Sequence, residues 1–176
     1  MIDADTFRKT MRHLASGVFV ITTRLDDRLH ATTATAFLPL SADPPLVLVC
    51  IHRDSATHRA LSQAPYFGVN LLSASQVALS ARFASKTLER YRFDDVPRFL
   101  GPGGVTFLKG SAAHVEVHTQ STTAGGDHTI FIGRVTWAQS DPKFAPLVYH
   151  QGSHHGLAEL ERSSPPSRRT ATDLRA

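Results

Sequence analysis

Residues 17–51 read GVFVITTRLDDRLHATTATAFLPLSADPPLVLVCI, and this stretch decides the fold. Three runs rich in β-branched and aromatic side chains, 17–23, 29–40 and 46–51, are separated by Asp26-Asp27 and by Asp43-Pro44-Pro45. Branched side chains suit extended backbone, whereas Asp and Pro favour turns. Three strands in so short a span have the rhythm of a barrel or sandwich; a doubly wound sheet would place a helix between successive strands.

On the N-terminal side, Phe7, Met11 and Leu14 stand at i, i+4 and i+7. That spacing predicts a helix capped by Asp3 or Asp5 and ended by Gly17. On the C-terminal side, 67–72 reads as a fourth strand and 73–84 as a capped helix with Val77, Ala81 and Ala84 on one side. Further strands are expected near 112–119, 128–139 and 146–150. Pro97 and Gly101-Pro102-Gly103-Gly104 mark 85–105 as a long irregular loop, a lid or partner contact. One domain is expected over 1–160, followed by a disordered Ser/Pro/Arg-rich tail over 161–176.

The chain has 176 residues, 41% of them apolar and 19% charged, which is enough to bury a core and unlike a disordered or collagenous composition. No apolar run approaches the roughly 18–20 residues of a membrane span, and the charged start MIDADTFRKTMRH does not resemble a signal peptide. A cytoplasmic protein is expected. The sequence pI is about 9.6, yet the net charge of +4 divides evenly. In 161–176 four arginines stand against two acids, and the other 15 basic and 13 acidic side chains are dispersed over 1–160. Nucleic-acid binding needs a concentrated basic surface and is not expected. The single cysteine, Cys50, forms no intramolecular disulfide and reads as a buried small hydrophobe.

Three segments carry candidate chemistry. Ser55-Ala56-Thr57 follows an apolar strand and opens a short helical stretch; it either holds a phosphate or simply caps the helix. His30 to Phe37 is a strand of small residues, either a floor on which a flat ligand meets the backbone or an exposed edge of threonines. In Gly125-Gly126-Asp127-His128, a tight turn sets a histidine at the mouth of a strand, oriented by Asp127 toward a ligand or engaged only in surface hydrogen bonding. The pattern excludes HExxH, CxxC, GxSxG, GxxxxGK[ST] and GxGxxG sites, so a metal centre, an elbow hydrolase, a nucleotide triphosphatase and a Rossmann domain are not expected.

Taken in order, Ser16 to Thr23, His30 to Phe37, Ser41 to Cys50, Ser55 to Thr57, Phe67 to Leu72, Phe83-Ala84, Arg92-Phe93, Gly126 to Val135 and Pro146 to Gly152 resemble the short-chain flavin reductases. These are the NAD(P)H:flavin oxidoreductase components of two-component flavin-dependent monooxygenases. The resemblance implies a mostly β, six-stranded Greek-key FMN-binding split barrel with a few flanking helices. It also implies a homodimer with the flavin near the dimer interface, and hydride transfer from NADH or NADPH to FMN or FAD for a partner monooxygenase. By similarity, Thr33, Ala34, Thr35, Ala36 and Phe37 line the flavin ring, Cys50 and His52 flank the cleft, and Ser55 and Thr57 hold the phosphate. Phe83 and Ala84 close the flavin side, and His128 faces the nicotinamide with Arg134 as a neighbour.

Two departures from the family pattern stand out. The family usually reads Thr-Ala-Asn-Ser-Phe where this chain has Thr33-Ala34-Thr35-Ala36-Phe37, so contacts through the backbone persist while an amide and a hydroxyl are replaced. Each side-chain hydrogen bond lost this way costs about 0.5–1.5 kcal/mol. Pro39 stands where the family usually has a small polar residue and removes an amide, which predicts a break or an edge. Two further readings remain open: an oxidoreductase that keeps its FMN and reduces another acceptor, and a non-catalytic flavin-binding or electron-carrying protein.

Overall fold

A computed structural model describes residues 1–157; the expected tail at 161–176 lies outside the described residues. Helix α1 (Ala4–Met11) leads into strands β1 (Ser16–Gly17), β2 (Phe19–Leu25), β3 (Arg28–Ala34), β4 (Phe37–Ala42) and β5 (Pro45–His52). Helix α2 (Ala56–Leu61), β6 (Tyr66–Leu71) and α3 (Val77–Ala84) follow. The chain then runs through β7 (Arg98–Leu100), β8 (Thr106–Leu108), β9 (Ala113–Gly125), β10 (His128–Ser140), β11 (Leu147–His150) and β12 (Ser153–Gly156).

Seven strands form one antiparallel sheet in the order β3-β2-β6-β9-β10-β5-β4. Its two outermost strands are consecutive in the chain and joined only by Thr35 and Ala36. In a flat sheet they would lie roughly 29 Å apart, but a two-residue link reaches only about 11 Å. The sheet must therefore curl into a barrel, and because β3 and β4 are not paired with each other, a seam stays open between them.

The barrel interior holds Ile21, Val49, Ile51, Phe67, Val69, Val117 and Phe131. A second buried cluster of Val18, Val20, Ala31, Leu72, Phe83, Val96, Leu108 and Leu147 packs outside, where α3 and the 85–105 segment cover β2 and β3. Val20 and Ile21 are both fully buried because successive side chains on β2 feed opposite clusters.

The strands expected at 17–23, 46–51, 67–72, 112–119, 128–139 and 146–150 are all present, with β9 and β10 extended to 13 residues each. The expected run 29–40 is instead two strands. It breaks at Thr35–Ala36, where the Cys50 amide donates to the Ala36 carbonyl. Pro39 lies on the edge strand β4, and the pairing with β5 slips between Pro39 and Ser41. That division brings the sheet to seven strands against the six the resemblance implies.

Helix α1 has its Asp3 cap but stops at Met11, well short of Gly17, which pairs with Val148 in β1. Its apolar face has no cover: Phe7, Met11 and Leu14 are 51%, 40% and 60% exposed. In 73–84 the first turn is a 3₁₀ turn, Ala74–Gln76. Within α3, Ser80 and Phe83 turn inward rather than Val77, Ala81 and Ala84; both sets satisfy 3.6-residue spacing, and packing against β2 and β3 selects the first. The segment 85–105 is a packed wall rather than a free loop, with Val96 and Arg92 buried and β7 paired to β8.

Asn70 locks the layers together. Fully buried, it donates through Nδ2 to the Val20 carbonyl at 2.9 Å and accepts the Leu108 amide at Oδ1 at 2.7 Å. The variant Asn70→Ala strands these groups in a dry interior, at an expected cost of about 2–4 kcal/mol and a Tm lowered by roughly 5–15 °C, readable by calorimetry. Burial holds the His30, His58 and His114 imidazoles below their ordinary 6.5. As pH falls below 6.5 the unfolded chain takes up protons that the fold refuses, so stability declines toward acid. Thermal midpoints between pH 7 and 5 check this, and His114→Gln is expected to flatten the slope.

Candidate functional site

The open seam is a cavity of about 210 Å³ lined by Thr32, Thr33, Ala34, Thr35, Ala36, Cys50, Ile51, His52, Ser55 and His128. One wall is the outer edge of β3, whose other edge pairs with β2. The Ala31 carbonyl points outward and accepts from the buried Arg92 guanidinium. Because the pleat repeats every second residue, the backbone N–H and C=O of Thr33 also point outward, with no strand to receive them. Small side chains leave that backbone accessible. A planar, heteroatom-rich group such as a flavin ring fits this wall, since it satisfies polar groups that the sheet leaves unpaired.

The opposite wall ends in a histidine pair. His128 and His52 face each other across β10 and β5 and meet edge to face with centroids 5.1 Å apart. Gly126 and Asp127 make the two-residue turn that begins β10, and Gly126 adopts φ 63°, a conformation that glycine enters without strain. Asp127 Oδ1 lies 2.7 Å from His128 Nδ1, and this hydrogen bond holds the Asp127 carboxyl below its usual range. A carboxylate only accepts, so a proton sits on Nδ1, and in a neutral imidazole so held Nε2 is the accepting nitrogen. His52 has the opposite tautomer: its Nδ1 accepts the Asp54 amide at 3.2 Å, leaving the proton on Nε2, 3.7 Å from Asp127 Oδ2. Asp127 thus orients His128, and the Asp54 amide orients His52.

The remaining expected residues divide between the cavity and its supports. Thr35 and Ala36 line the seam, and half-buried Cys50 lines it too rather than being sealed in the core. The Thr33 hydroxyl turns away and donates to the Ser80 carbonyl at 2.7 Å, which leaves its backbone to the cavity. Ser55 caps α2, accepting the His58 amide and donating to the His52 carbonyl. Thr57 is 1% exposed and lines neither the seam nor the two cavities beyond it. Phe37 turns inward against Phe19, and Phe83 is wholly buried against Phe93, so both support the cleft from behind while Ala84 reaches its edge. Arg134 stands six positions along β10 from His128, on the order of 20 Å away; the two do not share a site.

Sequence reasoning gave no site role to Arg92, His154, Lys86 or Glu89. Arg92 ties the Ala31 carbonyl to the Ser85 carbonyl, clamping β3 to the end of α3. His154 donates to or accepts from Ser80 Oγ at 2.9 Å and, with Tyr149, walls a second small cavity against Thr33 and Thr35. Both come from distant segments, so no local pattern marks them. Lys86 and Glu89 border the adjoining cavity with His52 and Ser55; the only signal was their position just beyond Phe83-Ala84.

Residues 11–158 match the family described as the flavin reductase like domain. The chain belongs to the flavin reductase family. It is 34% identical to the NADH-dependent flavin reductase of a Rhodococcus species, over 90% of this chain and 89% of the relative. It is also 34% identical to HsaB, the reductase subunit of a flavin-dependent monooxygenase from Mycobacterium tuberculosis, over 93% and 87%. Among solved structures, the NADH:FAD oxidoreductase of Streptomyces globisporus in complex with NAD and FAD fragments superposes with a TM-score of 0.84. Identity there is 31%, with 90% of this chain and 97% of that chain covered. The expectations of a mostly β fold, a flavin reductase and flavin and nicotinamide as cofactors are borne out. No helix among the described residues is long and apolar enough to cross a membrane.

Proposed function

We propose that this flavin reductase binds FMN or FAD in the seam, receives the hydride of NADH beside His128, and passes reduced flavin to a separate monooxygenase. The observation that carries the reading is the meeting of two unlike walls at one cavity: the unpaired backbone edge of β3 and an oriented His128–Asp127 pair. The first wall suits the heteroatom edge of a flavin ring. The second presents an accepting Nε2, which suits the carboxamide N–H of a nicotinamide. Bound flavin and nicotinamide supply the redox chemistry, and the protein's task is to hold the two rings together and keep water out.

Ala34 and Ala36 allow the ring to approach the backbone, and Cys50 and His52 border it. Ser55 and Thr57, at the N-terminal end of α2, are proposed to meet the flavin phosphate. Thr35 and Ala36, where the family usually has Asn and Ser, leave recognition of the ring chiefly to main-chain groups. A cytoplasmic location belongs to the same reading, because reduced nicotinamides are a cytoplasmic pool.

The homodimer is part of this proposal. Phe7 and Met11 of α1, Leu14 just beyond it and Leu38 of β4 line a groove of about 560 Å³ that also includes Thr35 and Ala36. Leu38 and Leu40 are 59% and 48% exposed. An eight-residue helix is too short to persist alone, so this one needs a cover over its apolar face. A second copy seated there would border the flavin seam.

NADH oxidation by the purified protein with FMN, FAD or no added flavin tests the reading. Rapid oxidation only with flavin is expected, and a protein inert with both flavins overturns it. His128→Ala is expected to lower kcat/KM for NADH roughly tenfold or more with flavin affinity retained; unchanged kinetics remove His128 from the site. Leu38→Glu is expected to convert a dimer to a monomer in sedimentation velocity and to weaken flavin binding. A wild-type monomer would refute the dimer.

A further inference from the structure

The seam opens into a larger trough. A second cavity of about 320 Å³ shares Thr32, His52 and Ser55 with the seam. It shares Ala56, Arg59, Lys86 and Glu89 with a third cavity of about 480 Å³, which ends at Arg28 and His30. Shared walls make the three continuous, running from the histidine pair past α2 to the far end of β3.

The charges along this trough are unequal. Its near end holds Asp54 and, through His128, Asp127; its far end gathers Arg28, Arg59 and Lys86 around one lining acid, Glu89. Among the described residues none of these three cations lies within 4.0 Å of a carboxylate, whereas Arg8 and Lys9 on α1 both pair with Asp5. Holding three cations around one hollow with a single lining acid costs electrostatic energy, and an anion placed there would recover part of it. His30 stands among them as an uncharged aromatic ring at neutral pH, since burial first and Arg28 next keep its imidazole below 6.5. An aromatic ring beside a cation cluster suits a nucleoside diphosphate, with phosphates to the cations and base to the ring.

The geometry points to the third cavity as the subsite for the second phosphate and adenosine of FAD, making FAD the preferred flavin, with Arg28, which lines that cavity alone, as the discriminating cation and Arg59 and Lys86, shared with the cavity beside Ser55, in support. FMN ends at its single phosphate near Ser55 and cannot reach Arg28. This inference rests on the placement of flavin in the seam, and it adds the choice of flavin.

Dissociation constants for FAD and FMN, from quenching of flavin fluorescence without nicotinamide, test it in the wild type and in Arg28→Glu. FAD is expected to bind the wild type about tenfold or more tightly than FMN. The substitution is expected to remove most of that advantage while leaving FMN affinity within about twofold. Equal affinities in the wild type, or a loss shared by both flavins, would overturn the subsite. So would unchanged flavin binding with a raised KM for NADH, which would assign the cations to the nicotinamide dinucleotide. Failure of both flavins to bind the wild type would instead sink the placement in the seam itself. Arg28→Gln repeats the test if Arg28→Glu does not fold.

Discussion

A two-residue link between the outermost strands of a seven-stranded sheet is the constraint on which the rest of this structure depends. Thr35 and Ala36 cannot span a flat sheet, so closure is imposed by chain connectivity and does not rely on a particular side-chain contact. Yet the link joins two strands that do not pair, so the cylinder closes with a gap. Hydrogen bonding stops there, and the backbone groups of β3 that face the gap need partners from elsewhere. Arg92 supplies one for Ala31, and a ligand is the natural partner for the next.

The seam also explains why the residues beside it are small and why so few of them act through their side chains. Thr33 spends its hydroxyl on α3, Ser55 spends its own on α2, and the phenylalanines pack behind. What remains toward the cavity is backbone on one wall and two imidazoles on the other, His128 held by the Asp127 carboxylate and His52 by the Asp54 amide. At the opposite end of the trough, Arg28, Arg59 and Lys86 face an enclosed hollow with little to neutralise them. A carboxylate and histidines at one end and cations at the other give the trough a direction.

Much of this was legible in the residues. The strands showed in β-branched runs, and Pro39 announced an edge because proline has no amide to donate. Gly126-Asp127-His128 foretold an oriented histidine at a strand mouth, because a two-residue turn leaves no other place for it. The small residues at 31–36 hinted at a floor for a flat ligand. What misled was periodicity. Phe7, Met11 and Leu14 do form a stripe, but it is not buried within the chain, and in α3 two stripes satisfy 3.6-residue spacing, of which packing buried Ser80 and Phe83.

The sequence by itself determined the strand-rich class, the turns and the family, because those follow from local backbone preferences and from motifs within short stretches. It left undecided which threonine hydroxyls face the cavity, that Arg134 lies far from His128 while His52 lies beside it, and that Arg28, Arg59 and Lys86 converge. Only the tertiary structure decided these, because they depend on the register between strands and on how the closed sheet brings separate segments together. A one-residue change in register would turn every side chain on a strand to its other face.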